Sequence, residues 1–172
     1  MKPFNIAIIL LVVLPCLTFG QFTAKPDTSR LDLQLTSMYR GLFGKAWSEK
    51  FVELWNKSPD TAKVLGGIGK VHFVALGTDT VDVIMNFDST GKATVLKVAK
   101  SFPTDTLPMF STRLGKWAEF MEGKFGAVKG VLMGYIRYKG PMALAFKYGY
   151  HFDKVAPLGK RIIEMMNQRQ KK

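Results

Sequence analysis

The chain is poor in the side chains that most often perform chemistry. Its 172 residues include one cysteine, Cys16, and two histidines, His72 and His151. Cys16 lies in an apolar N-terminal run, so the remainder of the chain has no disulfide, no catalytic thiol and no thiolate metal site. The histidines are far apart in the sequence, and no metal-ligand pattern accompanies either of them. We predict that the protein binds no metal or cofactor.

The motifs that could support catalysis are incomplete. The segment 66–70 resembles a phosphate-binding loop in part, but Val64 stands at the first glycine position and Val71 replaces the Ser or Thr that should follow the lysine. Asp82 points away from the apolar face of its predicted strand, which predicts a solvated carboxylate. No set of acidic, basic and nucleophilic groups is brought together. We therefore predict that the protein is not an enzyme.

The N-terminal segment has the composition of a targeting sequence. Lys2 precedes an apolar run over residues 4–19, which Pro15 interrupts and small residues follow near Gly20. The run is shorter than the roughly 20 apolar residues of a spanning helix. This pattern is typical of a secretory signal peptide. We predict a signal peptide or membrane anchor over 1–24, a linker or arm over 25–44, and a secreted or extracytoplasmic protein. The alternatives are a membrane-anchored protein, or a cytoplasmic one if translation starts at Met38.

Basic residues are concentrated at the C-terminal end. The net charge is +12, and residues 124–172 contain eleven basic residues against Asp153 and Glu164. Such a surface attracts anionic membranes or nucleic acid, although a solvated basic face is the ordinary alternative. The segment 135–139 mixes aromatic and basic side chains, as base-stacking surfaces do. No signature of the usual RNA-binding modules accompanies it, so we favour an anionic membrane surface as the partner and disfavour nucleic acid.

The first half of the chain predicts a helix followed by three strands. The helix is indicated by apolar residues at helical spacing, which are Trp47, Phe51, Leu54 and Trp55. Alternating residues predict strands over 70–76 and 80–87, and a turn at Asp88–Gly91 returns the chain into a strand over 92–99. A fourth strand is predicted over 106–110. Pro108 favours an edge position or a bulge for it, because proline cannot donate to the ladder.

The second half predicts short helices around one further strand. Ser111 or Thr112 would cap a helix that Gly123 ends, and a second short helix would cover Phe125–Met133. A fifth strand is predicted over Tyr135–Lys139. A helix would start at 140–141, and a last one would cover 158–167. The order of elements predicts an α+β fold with a mainly antiparallel sheet.

Two segments resemble a known family. They are Trp-Ala-Glu-Phe-Met-Glu-Gly-Lys-Phe at 117–125 and Gly-Tyr-Ile-Arg-Tyr-Lys-Gly-Pro-Met-Ala-Leu-Ala-Phe-Lys at 134–147, and together they resemble the C-terminal half of the sterol carrier protein 2 family. The resemblance covers about residues 45–165. It implies a five-stranded, largely antiparallel sheet covered by helices, with an apolar tunnel between them. Members of this family bind fatty acids, acyl-CoA esters, phospholipids or sterols.

From this resemblance we predict a lipid-binding domain over 45–167 and a basic tail over 168–172. The function would be non-enzymatic binding and intermembrane transfer of an apolar lipid. The alternative is an accessory domain that binds protein or nucleic acid through its basic C-terminal face. The sequence does not specify an oligomeric state. The predicted tunnel residues, for each of which an ordinary core position is the alternative, are Trp117, Phe120, Met121, Phe125, Val128, Leu132, Met133, Met142, Leu144 and Phe146.

Overall fold

A computed structural model describes residues 36–169. Its strands are β1 (Gly69–Leu76), β2 (Val81–Phe87), β3 (Ala93–Ala99), β4 (Met109–Arg113) and β5 (Arg137–Lys139). Its helices are α1 (Lys45–Asn56), α2 (Pro59–Ala62), α3 (Leu114–Met121), α4 (Ala127–Leu132), α5 (Met142–Phe152) and α6 (Val155–Arg169), and a 3₁₀ turn (Lys63–Leu65) follows α2. The predicted signal peptide, most of the arm and the end of the basic tail lie outside the described residues.

The strands form one mixed sheet in the order β3-β2-β1-β4-β5. Neighbours are antiparallel except for β1 and β4, which are parallel. The parallel pair requires a crossover, and residues 100–108 provide it by passing from the β3 edge to the far side of β1. The predicted α+β architecture with a mainly antiparallel, five-stranded sheet covered by helices is confirmed.

The turn between β2 and β3 is specified locally. The carboxylate of Asp88 accepts hydrogen bonds from the backbone N–H groups of Thr90 at 2.8 Å and Lys92 at 3.0 Å. Gly91 has a φ of 79°, and a Cβ there would lie 1.8 Å from the carbonyl oxygen of Ala62. Glycine is therefore required at this position both for its backbone conformation and for the close approach of the turn to α2.

The fourth strand differs from its prediction. It covers β4 instead of 106–110 and lies inside the sheet between β1 and β5, so the predicted edge position is wrong. Pro108 precedes the strand, where its missing N–H costs nothing, and its carbonyl accepts from the His72 N–H at 2.8 Å. Ser111 and Thr112 belong to the strand instead of capping a helix. The Thr112 hydroxyl donates to the carbonyl of Tyr135 at 2.6 Å, an interaction that sequence spacing could not indicate.

Other element boundaries shifted by a few residues. The second short helix is α4, which is shorter than the predicted 125–133, and β5 is shorter than the predicted 135–139. Pro141 lies just before α5 as its N-cap. The last helix, α6, begins at Val155, three residues before its predicted start. Pro157 is accommodated there because the N–H groups of a first helical turn have no intrahelical partner.

Aromatic side chains connect α1 to the rest of the domain. Trp47, Phe51 and Trp55 follow one face of α1, with successive ring centroids 5.2 and 5.6 Å apart. The indole N–H of Trp55 donates to Gly91 O at 2.9 Å, and that of Trp47 donates to Gly159 O at 3.3 Å. Burial of these large rings removes much apolar surface from water, and the two hydrogen bonds satisfy their only polar groups.

The core extends before α1. Tyr39, Leu42 and Phe43 are almost completely buried, although they belong to the predicted arm. The ring of Phe43 meets those of Trp47 and Trp117 edge-on, at centroid distances of 5.2 and 5.0 Å. The described part of the arm thus packs into the domain.

Candidate functional site

An apolar cavity lies between the sheet and the helices. Its volume is about 20 Å³, which is room for about one water molecule. Side chains from the sheet, from the segment before α1 and from α3, α4, α5 and α6 enclose it. The lining residues are all apolar and comprise Phe43, Phe73, Phe110, Trp117, Phe120, Met121, Ala127, Ile136, Phe152 and Val155.

A second cavity, of about 10 Å³, lies in the groove between α4 and α5. Its lining comprises Phe110, Ala127, Val128, Val131, Leu132, Met142, Ala145, Phe146 and Gly149. Phe110 and Ala127 line both cavities and therefore form the constriction between them. The described residues thus form two small apolar cavities that are separated by Phe110 and Ala127, and not an open tunnel.

The helices α4 and α5 are held together at one end of the groove. The carboxylate of Asp153, just after α5, accepts the backbone N–H of Ala127 at 2.7 Å. Nearby, a Cβ on Gly149 would lie only 2.6 Å from Cγ2 of Val128, so the absence of a side chain allows close helix packing. At the opposite end, Leu132 and Met142 are exposed to solvent. The groove is therefore tight at one end and opens to solvent at the other.

Seven of the ten predicted tunnel residues line one of the two cavities, and three line neither. Trp117, Phe120 and Met121 line the interior cavity. The groove is lined by Val128, Leu132, Met142 and Phe146. Phe125, Met133 and Leu144 line neither cavity. A role in ligand binding stays a prediction for all ten.

Several lining residues were not singled out from the sequence. Phe73 carried a usable signal, because alternation placed it on the apolar face of β1 beside Val71 and Ala75. Phe43 lies in the predicted arm, and Phe110 was expected near the end of an edge strand. Their rings reach the cavity because the segment before α1 packs over β1 and because β4 lies inside the sheet. Neither cause is local in sequence.

A polar cluster of two buried residues and one exposed residue lies on the opposite face of the sheet. His72 Nδ1 lies 2.8 Å from Asp82 Oδ1, and His72 Nε2 lies 2.9 Å from Asp105 Oδ1. His72 and Asp82 are buried, so the prediction of a solvated Asp82 is wrong. Asp82 does point away from the apolar face, but the crossover residues 100–108 bring Asp105 to this side of the sheet. The sequence offered no signal for that contact, because Asp105 is 33 positions from His72.

The two carboxylates of this cluster differ in acidity. Burial raises the pKa of Asp82, and the hydrogen bond from His72 offsets this only in part. Burial also opposes ionisation of Asp105, but the Leu107 N–H and His72 outweigh it and lower the pKa of that carboxyl. An imidazolium ion can donate a hydrogen bond from each of its two nitrogens to a carboxylate. A neutral imidazole has only one N–H, so one of the two carboxyl groups must then carry a proton. The cluster connects the crossover to the sheet, and both ring nitrogens of His72 are hydrogen-bonded to its two carboxyl groups.

Tyr138, the aromatic residue within β5, does not form a base-stacking surface with the basic residues of that strand. Arg137 pairs with Ser111 and Lys139 with Met109, on the sheet face away from the cavity. Tyr138 points to the opposite face, where its ring packs against Phe110 at a centroid distance of 4.7 Å. The arrangement gives no support to nucleic-acid binding through this strand.

Within residues 36–169, no three or more His, Cys, Asp or Glu side chains are placed to hold a metal ion. No helix in the same part of the chain is long and apolar enough to cross a membrane.

The described domain is an α+β fold in which a mixed sheet and its helices enclose an apolar cavity. Two solved structures share this fold. A crystal structure of sterol carrier protein 2 aligns with a TM-score of 0.60 at 17% identity, covering 69% of this chain and 96% of that one. A solution structure from Thermus thermophilus, of a conserved hypothetical protein described as possibly a sterol carrier protein, aligns with a TM-score of 0.58 at 19% identity, covering 69% and 89%.

The chain therefore has the sterol carrier protein 2 fold, as the resemblance of its C-terminal third predicted. No protein-family model and no curated protein sequence matches it. The likeness thus lies in the three-dimensional structure, with little identity in sequence.

Proposed function

We propose that the protein binds one apolar lipid between the sheet and the helices and carries it between membranes without reacting with it. The lipid would be a fatty acid, a fatty acyl ester, a phospholipid or a sterol. Its apolar part would enter the groove between α4 and α5 and extend past the constriction into the interior cavity. The crystal structure of sterol carrier protein 2, which shares the fold, supports this choice of ligand class.

One observation carries the proposal. The interior cavity is lined only by apolar side chains, and it shares Phe110 and Ala127 with a groove that reaches the surface. A cavity of this composition offers no partner to a polar substrate, and a polar group placed there without a hydrogen bond would cost several kcal/mol. It suits a hydrocarbon chain, which requires none.

Ligand entry requires the walls to separate. A cavity of about 20 Å³ is far below the roughly 300 Å³ or more of ordinary ligand pockets. Burial of an acyl chain contributes about 0.8 kcal/mol for each methylene, so about ten methylenes contribute ~8 kcal/mol. A gain of ~8 kcal/mol corresponds to a Kd of about 1 μM before any cost of opening the groove is subtracted. An opening cost of ~4 kcal/mol would weaken this Kd to about 1 mM, so the proposal requires the groove to open for less than that.

We further propose that the protein acts outside the cytoplasm. Support comes from the composition of residues 1–24, in which a positive start and a short apolar run precede small residues. The N-terminal sequence of the protein recovered from its native compartment tests this. A start near residues 21–25 supports export, and a start at Met38 contradicts it.

Lipid binding is tested first on the purified full chain. Its bound lipid is removed with organic solvent, the protein is refolded, and a fluorescent fatty acid is titrated into it. Native mass spectrometry of the loaded protein should show a mass increase of one ligand. A protein that takes up neither the fluorescent fatty acid nor a fluorescent sterol would contradict the proposal.

The path of the ligand is tested with a matched pair of variants. Ala127→Leu enlarges a side chain at the constriction, whereas Ala143→Leu makes the same change at an exposed position of α5 that lines neither cavity. We expect A127L to weaken fatty-acid binding about tenfold, equivalent to ~1.4 kcal/mol, and A143L to leave it unchanged. Thermal unfolding of both variants separates a blocked path from a loss of fold. Equal binding by two folded variants would contradict passage through the constriction.

A further inference from the structure

Exposed apolar side chains follow the outer edge of the groove between α4 and α5, from its open end at Leu132 and Met142 toward its tight end. Five of them, which we call the apolar rim, are Leu132 (64% exposed), Met133 (59%), Met142 (47%), Phe146 (48%) and Tyr150 (70%). Met142, Phe146 and Tyr150 are four residues apart in sequence and so follow one side of α5. Leu132 and Met133 lie across the groove at the end of α4. Contiguous exposed apolar side chains of this size mark an interaction surface more often than an accident of the surface.

Two lysines accompany the apolar rim. Lys129 precedes Leu132 and Met133 by one turn of α4, and Lys147 follows Phe146 on α5. Neither lysine takes part in an ion pair with another residue of the range 36–169. Asp153 lies at the opposite, tight end of the groove, where it is occupied by the Ala127 N–H. The edge of the groove thus combines exposed apolar groups with two lysines that form no ion pair with a described carboxylate.

These features fit a lipid bilayer better than other partners. A second copy of the chain carries the same net charge of +12, so two apolar rims would bring like charges together. Nucleic acid would satisfy the lysines but would leave the apolar side chains exposed. A bilayer that contains anionic lipids accepts both groups, because lysines meet headgroups while Met, Leu and Phe enter the acyl boundary.

We infer that the apolar rim, together with Lys129 and Lys147, is the surface on which the protein docks to an anionic bilayer, with the groove between α4 and α5 opening directly into the acyl chains. This inference rests on the proposed function, because it supplies the route by which that ligand enters. Docking in this orientation lets the lipid pass from the bilayer to the groove without crossing water. It also covers Leu132 and Met142 as the two helices separate.

Depth of insertion at Tyr150 is the test. The native tryptophans are buried, so a new tryptophan at an exposed position reports its own surroundings. Tyr150→Trp places the probe on the apolar rim, at a residue that lines neither cavity, and Leu96→Trp places it on β3 at the opposite edge of the sheet. Both full-length variants are mixed with vesicles of phosphatidylcholine alone or of equal parts phosphatidylcholine and phosphatidylserine.

We expect Y150W emission to shift to shorter wavelength in the anionic vesicles and to be quenched by bromine-labelled acyl chains. L96W should show neither change. Replacement of both lysines in the K129Q/K147Q variant should weaken partition to anionic vesicles about 30-fold, since a basic residue near such a surface contributes ~1 kcal/mol. Added salt should weaken the interaction in the same direction.

Three results would overturn the inference. The first is an unshifted Y150W spectrum in vesicles that bind the protein, which would place docking elsewhere, including on the N-terminal apolar segment. The second is an equal response from L96W. The third is a Y150W shift that depends on protein concentration without vesicles, which would indicate self-association. Fatty-acid uptake in solution is measured separately, so uptake without insertion refutes only this inference, and insertion without uptake refutes only the proposed function.

Discussion

Adding one methyl group at Gly149 should push α5 away from α4 and change the stability of the protein. A Cβ at this position would lie 2.6 Å from Cγ2 of Val128. Valine cannot easily turn that methyl away, because branching at Cβ leaves it one strongly preferred rotamer in a helix. Overpacking of this kind typically costs about 1–3 kcal/mol. Replacing glycine by alanine inside a helix stabilises the helix by about 1 kcal/mol, which offsets part of the overpacking cost.

The net effect of Gly149→Ala should therefore change sign with the residue at 128. In the wild-type background we expect a loss of stability between about zero and 2 kcal/mol. In a Val128→Ala background the opposing methyl is gone, and the same substitution should stabilise the protein by up to ~1 kcal/mol. The coupling free energy between the two positions should thus be about 1–3 kcal/mol.

Urea unfolding of the four proteins, followed by tryptophan fluorescence, measures this coupling. Gly115→Ala is the matched control, since a Cβ at that helical glycine would meet only Thr36 Oγ1 at an ordinary 3.5 Å. It should stabilise the protein by about 0.4–1 kcal/mol in either background. A coupling free energy below about 0.5 kcal/mol, the range in which independent sites add, would refute the close approach of α4 and α5.

Three further predictions concern the rest of the domain. Gly91→Ala should destabilise the protein by at least about 2 kcal/mol in urea unfolding. Gly67→Ala has a similar φ, but its Cβ would meet only Tyr148 Oη at an ordinary 3.8 Å, so it should cost only about 1–2 kcal/mol and less than G91A. Lys160 and Tyr39 outweigh burial and hold the pKa of Glu122 below its usual range, so stability should fall as pH decreases through the folded-state pKa, below about 4.5. This fall should be smaller in E122Q, in which Glu53, Asp88 and Asp105, whose pKa values are also lowered, still contribute to it. His72→Leu should lower the free energy of unfolding by about 3–5 kcal/mol, mainly as pH rises, because the buried Asp82 must then ionise without its partner. The double variant H72L/D82L should recover most of this loss, as measured by urea unfolding at about pH 7.

Elements with strong local signals were predictable from the sequence. The helix α1 carries aromatic residues at positions 47, 51 and 55, and alternation together with the Asp88–Gly91 turn specified β1, β2 and β3 within about a residue. Each signal depends only on neighbours a few positions away. Side-chain period and turn chemistry suffice for such elements.

Features that depend on distant contacts were not predictable. Asp82 was placed on the correct face of β2, but no local pattern indicated that residues 100–108 would cover that face. Thr112 has the chemistry of a helix cap, yet its hydroxyl bonds to Tyr135, 23 positions away. A tertiary contact can override the local secondary-structure preference of a residue when it uses the same side chain. Residue spacing along the sequence does not predict such contacts.

The candidate site was predictable only in part. The resemblance over residues 117–147 indicates its C-terminal half, whereas the sequence predicts only an arm or ordinary strand positions for Phe43, Phe73 and Phe110, which supply the other walls. Core and cavity wall share one composition, so no pattern of residue types separates them. A cavity wall differs from ordinary core only in that the surrounding helices and strands leave space beside it, which depends on how they pack.

Packing also indicates which wall of the cavity can move. In the sheet wall, the rings of Phe73 and Phe110 stack at a centroid distance of 6.0 Å, and the Trp117 indole of α3 donates to Val74 O at 2.8 Å. Phe152, at the tight end of α5, packs against both rings at 5.7 and 5.1 Å. The α6 wall is held by the indole of Trp47. Opening either wall would break hydrogen bonds and aromatic stacking that no lipid could replace.

The wall formed by α4 and α5 is different. The hydrogen bond from Ala127 to Asp153 lies at the tight end and can persist as a hinge while the end at Leu132 and Met142 separates. Leu132 and Met142 are apolar, and a hydrocarbon chain packs against them at no cost in hydrogen bonding as long as the bonds that hold α5, from Tyr138 to Pro141 O and from Tyr148 to Gly66 O, stay intact. This is the physical reason for proposing that the lipid enters between α4 and α5.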